Sequence, residues 1–143
     1  MITSDQLESL LENASIGCIP NLPDGEYSLP SEDWISSAFA AALQSLLSQL
    51  GFAWQPEKMD CDDFARFAAA YAALLHAQMG NATALAFGEF WYTRAATKGG
   101  HAINVFVVRD PSGELALRFF EPQTQQLVTL TREEINSCDF CRI

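Results

Sequence analysis

Basic residues are scarce in this sequence: eight Lys and Arg stand against eighteen Asp and Glu, a formal net charge of −10. Nucleic acid is thereby excluded as a partner, because binding phosphates takes clustered cations. The same surplus suits a divalent cation or a basic partner, and it serves ordinary solubility equally well. Long apolar runs are also lacking, so no segment reads as a membrane span and no membrane partner is expected. Met1 to Asn13 holds Asp5, Glu8 and Glu12 and no basic residue, the wrong start for a secretory leader. Cysteine is limited to positions 18, 61, 138 and 141, and histidine to 76 and 101. A reduced, cytoplasmic setting is the simplest expectation.

What the chain has in quantity is apolar. Hydrophobic residues make up 49% of 143 positions, with ten Phe and three Trp. That is enough for one domain with a real core and too little for two comfortable ones. The expectation is a single domain over residues 1–143, with a helical arm over 1–57 and a helix plus antiparallel sheet over 58–143.

Punctuation along the chain divides it by period. Thr3 and Ser4 offer N-caps to a short helix through Leu7, Leu10 and Leu11. Gly17 to Pro30 is an irregular arm with Asp24-Gly25 as a turn. Ser31 caps a helix with Glu32 and Asp33 in its first turn and Gly51 at its end; Trp34, Ile35, Ala38, Phe39, Ala42, Leu46 and Leu50 form its apolar side. Phe64, Phe67, Ala68, Tyr71, Leu74 and Leu75 mark a second long helix that Gly80 and Asn81 stop. The second half alternates instead. Strands are predicted over 83–93, with Gly88 as a bulge, and over 101–109, whose unbroken apolar run predicts cover on both faces. Asp110-Pro111-Ser112-Gly113 is a hairpin turn into a strand over 114–121. A short strand over 127–130, a capping box of Thr131 with Glu134, and an edge strand over 138–143 complete the chain. Helices first and an antiparallel sheet second is an α+β arrangement.

The chemistry-bearing stretch is Met59-Asp60-Cys61-Asp62-Asp63-Phe64. It puts Cys61 where a loop becomes a helix, where the dipole and free N–H groups favour thiolate over thiol. A free cysteine is also a common inert core residue. His101 opens a strand after Gly99-Gly100, and Glu121 ends the next strand. The hairpin turn sets these two roughly opposite each other. A thiolate nucleophile, an imidazole that shuttles the proton and a carboxylate that orients the ring form a working order for nucleophilic catalysis. Each has an ordinary reading too: a packed core histidine and a strand-end glutamate. Gln55 upstream of Cys61 offers an oxyanion donor, and Gln123 could hold the site together. His76, deep in the cysteine helix, reads as structural. Cys138-Asp139-Phe140-Cys141 is a lone C-x-x-C, weak evidence for zinc, and reads as an edge strand with incidental thiols.

Asp60, Asp62 and Asp63 oppose a thiolate at Cys61. A cation among them would reverse that penalty, and oxygen-only ligands point to calcium. Asp60, Asp62, Asp63 and Asn104 are the candidate ligands, with Glu121 as a further sharer. The alternative is that the aspartates cap the helix and face water.

Asp60-Cys61-Asp62-Asp63-Phe64-Ala65, Gly100-His101-Ala102-Ile103-Asn104-Val105 and Phe119-Phe120-Glu121-Pro122-Gln123 together resemble a known family. It is the papain-like, calcium-dependent cysteine protease domain found in the Marasmius oreades agglutinin and in related bacterial and phage proteins. Pro23 to Pro30 is similar to the arm before the catalytic helix there. The resemblance implies a papain-like fold, Cys61 as nucleophile, His101 as base, Glu121 as orienting group, and Asp62 and Asp63 as metal ligands. The expected function is therefore a cysteine peptidase acting on a peptide or protein substrate. The alternatives are a non-catalytic binding or assembly module on the same scaffold, of phage-related kind, or a transglutaminase-like acyl transferase. No lectin domain precedes the matching stretch, so the resemblance does not imply carbohydrate targeting.

Overall fold

The computed structural model describes all of residues 1–143. Its frame is a five-stranded sheet in the order β7-β6-β5-β4-β8, antiparallel throughout. The strands are β4 Phe87–Thr93, β5 Gly100–Arg109, β6 Leu115–Glu121, β7 Gln126–Val128 and β8 Phe140–Arg142. A small second sheet joins β1 Ile2–Thr3, β2 Glu26–Ser28 and β3 Ala84–Leu85. The helices are α1 Ser4–Asn13, α2 Glu32–Trp34, α3 Ala40–Leu50, α4 Cys61–Gln78 and α5 Arg132–Asn136, with a π-helical turn over Ile35–Phe39. The α+β arrangement is the one the sequence indicates. No helix is long and apolar enough to cross a membrane.

Strand β5 is buried from His101 to Val108, as its apolar run predicts, because both sheet faces are covered. Ile103, Val105 and Val107 point into a core with Leu7, Leu11, Tyr27, Phe90 and Phe119, under α1 and the small sheet. Phe106 and Val108 point the other way, into a core with Phe39, Leu43, Phe64, Ala68 and Phe120, under α3 and α4. This alternation is the period-two pattern of a strand with two apolar neighbours.

Three local expectations shift, each for a physical reason. The buried side of the second helix runs through Ile35, Phe39, Leu43 and Leu47, while Ala38 and Leu50 are exposed and Ala42 and Leu46 only half-buried. In the π turn, Ala40 N–H reaches back to Ile35 O, so one extra residue is taken up and the apolar stripe rotates by one position. In α4 the deepest face is Ala65, Ala68, Ala72 and His76, with Leu74 exposed. Small side chains let the helix axis lie close on the sheet, and Phe67, Tyr71 and Leu75 flank that contact. The strand predicted over 83–93 breaks at Ala86, which leaves β3 in the small sheet and β4 in the large one.

Gly88 is a point of close approach, not a bulge. A Cβ there would collide with Arg142 O and Ile143 Cα at the end of β8. Beside it, Glu89 pairs across β4 with Asn104 and Arg142 and is only 7% exposed. Its Oε2 has no hydrogen-bond partner. Burial pushes the Glu89 carboxyl above its ordinary value, against the pull of Arg66 and Arg142.

Gly88→Ala is expected to lift β8 from β4 and cost about 2–3 kcal/mol in urea unfolding; an unchanged midpoint would show the approach to be looser than described. Glu89 also predicts a pH dependence. A raised carboxyl means the folded chain holds the proton more tightly than the unfolded chain, so Glu89's contribution is lost as pH rises from the ordinary carboxylate range through the raised value. Glu89→Gln should therefore melt higher than the parent at pH 7, with the gap closing near about pH 4. A variant that melts lower at pH 7 would sink this account.

Candidate functional site

The start of α4 meets the ends of β4 and β5 at a cleft of about 230 Å³ lined by Cys61, Asp62, Trp91, Tyr92, Gly100, His101, Ala102 and Asp139. Four separate stretches of chain build it. Asn104, wholly buried on β5, holds two of them together: its Nδ2 donates to Ala65 O in the second turn of α4 at 2.8 Å and to Gly88 O on β4 at 2.9 Å. Trp91 closes the β8 side by packing on Phe140 with ring centroids 4.8 Å apart. Tyr92 stands edge-on to the His101 ring at 5.9 Å.

His101 and Glu121 come together at 2.6 Å between Nε2 and Oε2. They do so diagonally. The observed ladder pairs Arg109 with Leu115 and Asn104 with Phe120, so Glu121 sits short of the position facing His101 but on the same sheet face. Gln123 N–H donates to the other Glu121 oxygen at 3.1 Å, which fixes the carboxylate in place. Glu121 in turn fixes the imidazole orientation through Nε2.

Cys61 is half-buried at the first position of α4, and its sulfur forms no hydrogen bond with His101 or any other group. His101 falls in step with Ile103 and Val105 along β5, and both His101 and Cys61 line the cleft. Arg66, on the same helix, is engaged by Asp62 at 3.3 Å and Asp63 at 3.4 Å. Gln55 is exposed in a tight loop, where its N–H bonds Met59 O, and it does not line the cleft.

The three aspartates converge. Carboxylate oxygens of Asp60, Asp62 and Asp63 lie within 4.8 Å of one another, all half-buried. Asp60 occupies the N-cap position of α4, yet its side chain accepts no backbone hydrogen bond. Contact with Asp60 pushes the Asp62 carboxyl above its ordinary value, with burial adding to the shift and Arg66 opposing it. His76, read as structural, is buried beside Asn81, whose Nδ2 donates to its Nδ1 at 3.1 Å and to its backbone oxygen at 3.0 Å.

No protein-family model matches the chain, and no curated protein matches it. Solved structures do. Polyporus squamosus lectin bound to the human-type influenza-binding epitope Neu5Aca2-6Galb1-4GlcNAc is similar at TM-score 0.73 and 26% identity, over 99% of this chain and 49% of the lectin chain. The PSL1a–E64 complex is similar at TM-score 0.73 and 26% identity, over 99% of this chain and 51% of that one. The chain thus spans about half the length of each. These neighbours correct the resemblance to a papain-like cysteine protease domain. They also correct the expectation of a cysteine peptidase or thiol hydrolase, since the likeness is to a lectin bound to a glycan epitope. The binding-module alternative is the better supported reading.

Proposed function

We propose that the chain is a non-catalytic binding module that takes a neutral glycan unit in the cleft between α4, β4 and β5. The observation that carries this reading is the likeness, over nearly the whole chain, to structures of a sugar-binding lectin. The cleft chemistry supports it. Trp91 and Tyr92 offer apolar ring surface, and Asp62 and Asp139 offer acceptors for hydroxyl groups. At about 230 Å³ the cleft is smaller than ordinary ligand pockets of about 300–1,000 Å³, which suits a single sugar unit. Its carboxylates and the net charge of −10 disfavour an anionic sugar such as sialic acid, so the galactose or N-acetylglucosamine class fits better.

Calcium belongs to the same reading. Three hard oxygen donors within 4.8 Å suit it, and a divalent cation offsets the crowding of like charges at Asp60 and Asp62. Asp60, Asp62 and Asp63 would hold the ion; when bound, it would fix the start of α4 and neutralise one wall of the cleft.

Two measurements test these statements. In calorimetric titration with Galβ1-4GlcNAc the chain should bind, and Asp139→Asn, an exposed change, should weaken binding about tenfold. Absence of binding at millimolar sugar overturns the reading. So does covalent addition of the thiol-reactive epoxide E64 to Cys61 accompanied by peptide cleavage that Cys61→Ala abolishes. Calcium at a hundredfold excess over its Kd should stabilise the fold by about 2.7 kcal/mol. That gain should vanish in Asp62→Asn; a melting temperature that ignores millimolar calcium removes the metal assignment.

A further inference from the structure

Three of the four cysteines gather where the arm after α1 meets the end of the chain. Cys18 Sγ lies 3.2 Å from Cys138 Sγ, although 120 positions separate them. Cys138 is 2% exposed and Cys141 1% exposed, whereas Cys18 is half-buried. The approach is built into the backbone. A Cβ on Gly17 would collide with Asn136 O and stand 2.7 Å from Cys138 O, so only glycine lets the arm come this near. The arm then runs beside β8: Asn21 N–H donates to Cys141 O at 2.9 Å, and Ile143 N–H to Asn21 O at 3.2 Å. Cys138 makes its remaining contact with Phe140 O, and no bond joins it to Cys141.

We propose that Cys18 and Cys138 are a cross-linking pair that closes to a disulfide on exposure to a small-molecule disulfide such as oxidised glutathione. Cys18, the more accessible thiol, attacks one sulfur of the oxidant as thiolate, forms a mixed disulfide and releases one small thiol. Cys138 then attacks the Cys18 sulfur, forms the internal bond and expels the second small thiol. The two protein protons pass to the two released thiolates, so two protein thiols are oxidised and one small disulfide is reduced. The sulfurs must close from 3.2 Å to roughly 2.05 Å, a change within the reach of side-chain rotation. Burial, and then the contact with Cys18, push the Cys138 thiol up, so the second step is the slow one and quickens with pH. Cys138 and Cys141 read as incidental thiols in the sequence, and the geometry sets Cys138 against Cys18 instead.

The closed form ties the arm to the turn that carries Asp139 and Phe140, one wall of the cleft. It links the two ends of a long stretch of chain and so restricts the unfolded state. The full chain, incubated with oxidised glutathione at pH 8 and then alkylated, should fall from four free thiols to two. Digestion should yield one peptide pair joined through Cys18 and Cys138, and the melting temperature should rise by about 5–15 °C. Cys18→Ser should keep its remaining thiols and show no rise. A Cys138–Cys141 linkage, a mixed disulfide that stops at Cys18, or four free thiols after prolonged oxidation would each overturn the proposal. Because the peptide map is read on the parent chain, a poorly folding variant does not shield it.

Discussion

The amide of Asn104 is the fastening on which the arrangement depends. It sits inside the protein on the central strand, and it joins a carbonyl of α4 to a carbonyl of β4. A buried amide in this position is held only if its donors are satisfied, and here both are, by two elements that otherwise meet through small apolar side chains. The bond fixes how far the start of α4 reaches along the sheet. That distance decides where Cys61 and the three aspartates stand relative to Trp91, Tyr92 and His101. The alanine face of α4 makes the short reach feasible: with Ala65, Ala68 and Ala72 against the strands, helix backbone and sheet backbone come close enough for one side chain to span them.

From that fastening the character of the cleft follows. The helix start brings three carboxylates and one thiol, and the strand ends bring rings and one imidazole. Glu121 holds His101 at 2.6 Å, and Cys61 forms no hydrogen bond. An arrangement that holds an imidazole firmly and a thiol loosely differs from one that forces the two together. It presents acceptors and aromatic edges around a small space.

Much of this was legible in the sequence, and the parts that were not share a cause. Helix starts at Thr3, Ser31 and Thr131 were readable because a cap acts within one turn. The hairpin at Asp110 to Gly113 was readable for the same local reason, and it brought His101 and Glu121 to adjacent strands. Its register was missed by a small margin, so the pair proved diagonal. The π turn over Ile35–Phe39 carries neither Pro nor Gly to announce it, and a one-residue insertion of this kind moved every later prediction of a buried position in that helix. Asn104 was readable only as a candidate calcium ligand. The role visible in the structure depends on carbonyls at Ala65 and Gly88, and backbone groups carry no signature in a sequence. The contact of Cys18 with Cys138 was invisible for a like reason, since the arm has no period from which its path can be drawn. The functional reading went astray at another level. An ordered cysteine, histidine and glutamate state what chemistry could occur, and it is the likeness to lectin structures that overturns the peptidase expectation.

The end of the chain shows how packing from both sides can shape a site without touching a ligand. Residues 136–143 approach Gly17 at one end and Gly88 at the other, and each glycine presents bare backbone where any side chain would push the segment away. Two glycines far apart in sequence thus admit one terminal segment, Gly17 at the turn before β8 and Gly88 at its end. The strand carries Phe140 against Trp91, and the turn before it carries Asp139 into the cleft wall. Tolerance to substitution should follow this mechanics more than it follows distance from the cleft. Gly17 does not line the cleft, yet a bulky residue there displaces the turn that holds Asp139. An exposed change at Asp139 itself alters one acceptor and leaves the wall standing. Shape at this site is therefore set by backbone proximity, and its polarity by the few side chains that the backbone leaves facing the opening.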